Sequence, residues 1–225
     1  MRYLIFAIMG LLVGCSSRLP TVEEQAASKI VNSNQLVEVE YIEDATGLQW
    51  VSPRLNASDY NKLIVMPVGL NQDASQDRQL PVKVLVRVSE RLTMLIADEL
   101  ARGIAIIDTP DQHTATLHIE ITRASTDMED LKITEMLPYG AIIGGTKALL
   151  GTRDRNVRLM VESQLVDSLS GEVLAERVSI LLAKDILEND TEKLKYEQIE
   201  EMVDRFTQDI VYFIQLSAYQ ASHNP

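Results

Sequence analysis

Residues 155–183, with the sequence RNVRLMVESQLVDSLSGEVLAERVSILLA, carry the clearest structural pattern in the chain. Up to Asp167 the apolar side chains recur at every second position, which is the period of a β-strand with one face in a core. The turn-forming residues 168–171 follow, and a second apolar run begins at Val173. The stretch therefore predicts a β-hairpin of two long antiparallel strands.

Further strands are predicted on the N-terminal side of this hairpin. Residues 114–123 alternate apolar and polar side chains in the same way. Residues 63–68 form a continuous apolar run, in which Pro67 marks the end of a strand or an unpaired position. Shorter strands are predicted at three other places, namely residues 36–42, 47–51 and 104–108.

Two helices are predicted from apolar residues that recur at three- and four-residue steps. One lies between Val84 and Leu100, and the other runs from about Thr191 to Leu216. We therefore expect an α+β fold, with a mixed or mainly antiparallel sheet of about five to six strands and two main helices packed on one face. Trp50, the only tryptophan, is expected in the core because large aromatic side chains usually bury.

The N-terminus has the pattern of a lipoprotein signal peptide. Arg2 precedes an apolar run over residues 3–13, which is shorter than the roughly 20 residues that a membrane-spanning helix needs. The run leads into a sequence that resembles the lipobox of bacterial lipoproteins: Leu12, Val13, Gly14 and Cys15. Cys15 is the only cysteine in the chain, and we expect it to carry the acyl chains, palmitate among them, that hold the protein on a membrane.

These features divide the chain into four parts. They are a signal peptide over residues 1–14, the lipidated Cys15 with a flexible tether over residues 15–35, a single α+β domain over residues 36–217 and a disordered tail over residues 218–225. Ser16, and not Asp, follows the cysteine, which by resemblance to Gram-negative lipoproteins favours the outer membrane. The predicted location is the periplasmic face of that membrane, or the cell surface in a host with one membrane.

The charge balance disfavours nucleic acid as a partner. Asp and Glu number 33 against 21 Lys and Arg, so the formal net charge is −12. Nucleic-acid binders need Lys and Arg to neutralise phosphates, and a strongly acidic surface repels them. Aromatic residues make up only 5% of the chain, which also disfavours a stacking platform for bases or sugars.

The sequence contains no recognisable catalytic or cofactor-binding motif. It has no phosphate-binding Gly-rich loop with Lys, no G-x-S-x-G nucleophile elbow and no H-E-x-x-H zinc motif. His118 and Glu120 share one strand face, but a catalytic zinc site needs about three protein ligands. We therefore expect no metal, no cofactor and no enzymatic activity. A hydrolase whose site is assembled from distant residues, such as His118, Glu120 and Asp127, is a remaining alternative.

Residues 137–151 are the most unusual stretch in the chain because glycines interrupt its apolar residues. The candidate interaction segment within it consists of Gly140, Ile142, Ile143 and Gly144. Glycines four residues apart let another backbone approach a helix closely, which is typical of contact with a membrane or a subunit. The alternative is a buried connector that needs glycine for tight packing.

Several of these features together resemble the bacterial lipoprotein family called domain of unknown function 3313. Besides the lipobox, they are residues 47–50, Tyr60 before the 63–68 run, residues 140–151 leading into Arg153, residues 162–167 and Gly171. The resemblance covers about residues 40–215. It implies an envelope location but no activity and no catalytic residues, because the family has none established.

The sequence thus favours a non-enzymatic lipoprotein, anchored in the outer membrane by its acyl chains, that acts as a binding or accessory module for another envelope protein. An oligomeric export or channel accessory that uses residues 137–151 is an alternative from a different functional class. The identity of the partner and the oligomeric state do not follow from the sequence.

Overall fold

The computed structural model describes residues 18–40, 46–74, 77–128 and 154–223. Two of the predicted features lie outside these residues. One is the lipobox with its acylation site, namely Leu12, Val13, Gly14 and Cys15. The other is the Gly-rich candidate interaction segment, namely Gly140, Ile142, Ile143 and Gly144.

The described residues form one mixed sheet of eight strands. The strands are β1 (Val37–Glu40), β2 (Thr46–Val51), β3 (Lys62–Val65), β4 (Gly69–Leu70), β5 (Ala105–Ile106), β6 (Thr114–Met128), β7 (Arg155–Asp167) and β8 (Val173–Leu187). Their order across the sheet is β1-β2-β8-β7-β6-β3-β5, and β4 also pairs with β6. The pairs that β3 makes with β5 and β6 and the pair between β4 and β6 are parallel, whereas the other pairs are antiparallel.

Two long helices, α2 (Val82–Leu100) and α3 (Glu200–His223), cover one face of this sheet, which we call the inner face. A short helix, α1 (Val22–Ala26), precedes the sheet, and Thr21 and Glu24 close a capping box at its start. The inner-face side chains of β6, β7 and β8 pack with the apolar stripes of α2 and α3 into the main hydrophobic core. The predicted α+β class and the packing of two main helices on one face are confirmed.

The opposite, outer face of the sheet is covered by residues 19–36, which we call the strap. Ile30 and Leu36 of the strap pack against Leu48 on β2, Met160 on β7 and Ile180 on β8. A flexible tether is predicted over residues 15–35, but residues 19–35 instead pack on the sheet. The strap lacks a periodic apolar face, so its packing is not visible in the sequence pattern.

Three other expectations differ from the structure. The sheet has eight strands where about five to six are expected, and one of the additional strands is the two-residue β4, which follows Pro67 within the apolar run that also forms β3. α3 continues through residues 218–223, where a disordered tail is predicted. Trp50 is half-buried on the outer face of β2, opposite Glu176, and is not part of the buried core.

Gly171 in the turn between β7 and β8 gives a stability prediction. Its φ of +73° is in the left-handed region, where a side chain costs roughly 1–2 kcal/mol, although a Cβ there would meet no atom within 4 Å. We expect Gly171→Ala to lower the free energy of unfolding by about 1–2 kcal/mol in urea titration. Gly103→Ala is the matched control, because a Cβ at Gly103 also meets nothing within 4 Å. Equal effects of the two substitutions would contradict this assignment of backbone strain.

Candidate functional site

A buried ion pair holds α3 on the inner face of the sheet. Arg177 on β8 is fully buried, and its guanidinium donates two hydrogen bonds to Asp209 of α3, from Nε at 3.1 Å and from Nη2 at 2.5 Å. A buried charge is costly unless it is paired in good geometry. The position of α3 relative to β8 is therefore fixed by the place where Asp209 can meet Arg177.

The neighbouring strand β2 is shaped to accommodate this pair. Gly47 lies beside Arg177, and a Cβ at Gly47 would come within 2.6 Å of the guanidinium carbon. Two residues further along the same face, Gln49 is buried and its amide donates to Ser217 and Gln220 of α3 at 3.5 and 3.4 Å. The C-terminal part of α3 is thus held over β2.

This arrangement creates a groove, which we call the edge groove, between the C-terminal part of α3 and the edge of the sheet. Its volume is about 440 Å³. It is lined by Gln35, Val37, Val39, Gln49, Trp50, Val51, Tyr219 and Gln220. Because α3 lies over β2 and β8 but leaves β1 uncovered, Val37 and Tyr219 are each 60% exposed. The edge groove therefore combines exposed apolar side chains with amide groups.

On the outer face, a second buried ion pair holds the start of the strap. Arg158 on β7 donates to Glu24 at 2.9 Å and to the carbonyl of Leu19 at 3.2 Å, and it lies 3.2 Å from Asp127 on β6. Burial tends to raise the pKa of Glu24, but the hydrogen bonds from Arg158 and from the Thr21 amide hold that pKa below its ordinary value. Glu24 is therefore ionised when it binds Arg158 and holds the strap on the sheet.

Two further carboxylates on the outer face bind the main chain of the strap. Glu176 on β8 is fully buried and accepts hydrogen bonds from the amides of Val31 at 2.9 Å and Asn32 at 2.8 Å. Glu162 on β7 accepts a longer bond, 3.3 Å, from the amide of Lys29. Burial raises the pKa of Glu162, and its hydrogen bonds offset only part of this effect.

The three residues of the hydrolase alternative share the outer face, but the structure does not bring them together. His118 pairs across the sheet with Gln164, and Glu120 pairs with Glu162. Asp127 lies nine residues beyond His118 on β6, which corresponds to roughly 25–30 Å along the strand. Asp127 instead contacts Arg158. These three residues cannot act on one substrate atom, so the structure does not bring this set together as a catalytic site.

Sequence reasoning missed both buried ion pairs and the strap. In the sequence, Arg158, Glu162 and Glu176 resemble the solvent-exposed polar positions of half-buried strands. The one available signal was Arg177, a charged residue among the apolar inner-face positions of β8. Within residues 18–40, 46–74, 77–128 and 154–223, no group of three or more His, Cys, Asp or Glu side chains is placed to hold a metal ion. No helix in those same ranges is long and apolar enough to span a membrane.

Comparisons with known proteins identify sequence relatives of the chain. A family model described as "Protein of unknown function (DUF3313)" matches residues 26–210. The uncharacterized lipoprotein YdcL of Escherichia coli K12 is 24% identical over 211 residues, which cover 93% of this chain and 94% of YdcL.

Solved structures are more distant. The hypothetical protein CT253 of Chlamydia trachomatis matches with a TM-score of 0.44 at 12% identity, over 71% of this chain and 97% of that one. Protein XCC0632 of Xanthomonas campestris matches with a TM-score of 0.42 at 11% identity, over 76% of this chain and 93% of that one.

Two aspartates of α3 allow a matched test of the buried pair. Asp209→Asn leaves the Arg177 charge buried without its anion, so we expect the free energy of unfolding to fall by about 3–5 kcal/mol. Asp204 makes the same kind of two-bond contact with Arg91, but that pair is partly exposed. Asp204→Asn should therefore cost only about 0.2–1 kcal/mol. Urea unfolding followed by circular dichroism measures both values, and similar costs would contradict the role given to Arg177.

Replacing Glu by Gln is expected to have opposite effects on stability at Glu24 and at Glu162. Because the folded-state pKa of Glu24 is lowered, its contribution to stability is present at pH 7 and is lost as pH falls through that pKa. The folded-state pKa of Glu162 is raised, so its contribution is lost as pH rises through that pKa.

At pH 7 we therefore expect Glu24→Gln to lower the free energy of unfolding by about 1–3 kcal/mol and Glu162→Gln to leave it unchanged or to raise it. The cost of Glu24→Gln should shrink below the ordinary glutamate pKa of 4.5. Hydrogen exchange at the amides of Val31 and Asn32 reports the strap directly. At pH 7 these amides should exchange faster in Glu24→Gln than in Glu162→Gln, and the opposite order would contradict the prediction.

Proposed function

The chain belongs to the DUF3313 family of proteins of unknown function, and we propose that it is a non-enzymatic, lipid-anchored protein of the bacterial envelope that binds another envelope protein at its edge groove. Its acyl chains would be attached at Cys15, and the absence of Asp at residue 16 supports the periplasmic face of the outer membrane. The name of the relative YdcL, an uncharacterized lipoprotein, supports the anchor.

The observation that carries the binding role is the uncovered edge strand next to the edge groove. β1 is the last strand on its side of the sheet and pairs only with β2 among the described strands. An edge strand of this kind offers main-chain N–H and C=O groups to a further strand. Val37 and Val39 lie on the side of β1 that faces the groove, where they provide apolar contact for alternate residues of the added segment.

The charges of β1 favour a partner with basic residues over a second copy of this chain. Glu38 and Glu40 are exposed on the outer-face side of β1. If β1 strands of two copies paired, these carboxylates would come close to those of the other copy, and like charges across a strand pair are destabilising. An extended segment with Lys or Arg at alternate positions would instead gain from them. The oligomeric export or channel accessory is therefore the second candidate.

The Gly-rich segment remains a separate proposal for contact with a membrane or subunit. Its glycines, Gly140 and Gly144, lie in residues 129–153, outside the described ranges. The neighbouring described residues Met128 and Asp154 are at the same end of the sheet as Arg158, which binds the start of the strap.

Photo-crosslinking in intact cells tests the binding role. A photoreactive amino acid at Val37 should give an adduct with another envelope protein of defined mass, because this side chain lines the edge groove. Val82 on α2 is the matched control, since it is also a valine and is 54% exposed against 60% for Val37. It should give no such adduct. The readout is the mass and the peptide sequence of each adduct after detergent extraction.

Two results would contradict the proposal. Equal adducts from residues 37 and 82 would show only random collision, and no adduct from residue 37 would remove the edge groove as a binding site. An adduct of this chain with itself would favour the oligomeric accessory, and native mass measurement of the uncrosslinked protein would then show whether a closed oligomer exists.

A further inference from the structure

We infer that one end of the sheet faces the lipid surface and that the strap fixes this orientation. This end, which we call the proximal end, is formed where β6 stops at Met128, β7 begins at Arg155 and β8 stops at Leu187. The inference rests on the lipid anchor of the proposed function. It adds which surface of the domain lies against the membrane and which surface points away from it.

The strap begins near the proximal end. The carbonyl of Leu19 and the carboxylate of Glu24 are both bound by Arg158. Arg158 lies three residues from the start of β7, which corresponds to about 10 Å along the strand. Glu23 adds a contact nearby, since it accepts a 2.9 Å hydrogen bond from Arg123 on β6, which pairs with Met160 on β7.

The contacts of the later strap residues show in which direction the strap runs along the sheet. Lys29 meets Glu162, and Val31 and Asn32 meet Glu176, which lies opposite Gln164 on β7. The strap therefore runs along β7 from the proximal end towards the turn between β7 and β8. The residue of the strap that is nearest to Cys15 in the sequence, Leu19, is therefore bound near the proximal end.

Little chain is left between the bound part of the strap and the anchor. Three residues lie between Cys15 and Leu19, and the four steps along the chain span at most about 14 Å at about 3.3–3.6 Å per residue. A flexible tether of twenty residues would have allowed about 25 Å and free rotation. The net charge of −12 further disfavours a domain that lies flat on anionic headgroups.

The same geometry places the edge groove away from the membrane. Val51 in the groove pairs with Ala175, which pairs with Leu165 on β7. Val39, at the other end of the groove, pairs with Gly47, which pairs with Ser179 opposite Val161 on β7. Val161 and Leu165 lie three and seven residues beyond Arg158, so the groove extends from about 10 to about 23 Å further from the proximal end than Arg158. The anchored chain would therefore present the groove to proteins in the surrounding compartment.

Single fluorescent labels on the acylated protein test this orientation. Because Cys15 is the only cysteine, an introduced cysteine is the only free thiol once Cys15 is acylated. Lys184→Cys places a label at the proximal end, since Ala183 pairs with Val157, and Leu169→Cys places one in the distant turn, where Leu169 is 63% exposed. The protein is reconstituted in phosphatidylethanolamine and phosphatidylglycerol vesicles that carry a nitroxide on the lipid headgroup.

We expect quenching to be several-fold stronger for the label at residue 184 than for the label at residue 169. A flexible Gly/Ser segment of about 20 residues inserted after Ser17 adds about 25 Å of reach and should remove most of the difference. Equal quenching without the insertion, or stronger quenching at residue 169, would overturn the inference. Intact mass is measured on the same samples: a chain without acyl mass would remove the proposed anchor, whereas an acylated chain with equal quenching would remove only the orientation.

Discussion

The buried contact between Arg177 and Asp209 is the constraint on which the arrangement of the inner face depends. A guanidinium in the middle of a sheet has to be paired where water does not reach it, and α3 provides a carboxylate for it. Gly47 on the neighbouring strand leaves the space that the guanidinium occupies. Because Asp209 is near the middle of α3, the C-terminal half of this helix extends over β2 and ends beside β1. The edge groove is a consequence of that placement.

The outer face follows a different rule, because its strands provide carboxylates and the strap provides the donors. Glu176 and Glu162 accept main-chain amides, and Arg158 joins the start of the strap to β7. Polar side chains that would otherwise face water are therefore buried and hydrogen-bonded, as buried polar groups generally are. This face connects the strap, which follows the predicted anchor, to the sheet that also carries the edge groove.

The sequence pattern predicts the elements of this fold much better than their contacts. The strands β6 and β7 follow from alternation, β8 follows from the apolar run that begins at Val173, and the hairpin turn follows from residues 168–171. Pro67 correctly marks a strand end. The pairing of β2 with β8 could not be predicted, since the two strands are far apart in the chain and neither pattern specifies a neighbour. The strap was missed because hydrogen bonds from its main chain, which any sequence can make, account for much of its attachment. Of the edge groove, Val37, Val39 and Trp50 lie on predicted strands, but the contribution of Tyr219 depends on the register that Asp209 sets for α3.

Both the proposed envelope location and the proposed orientation of the domain depend on acylation of Cys15. Its most direct test is the intact mass of the protein purified from membrane fractions of the native host, beside a Cys15→Ser variant. We predict that the wild-type chain begins at Cys15, carries acyl mass and separates with the outer membrane, whereas the variant carries none and leaves that fraction. An unmodified wild-type chain that separates in the same way as the variant would contradict the account.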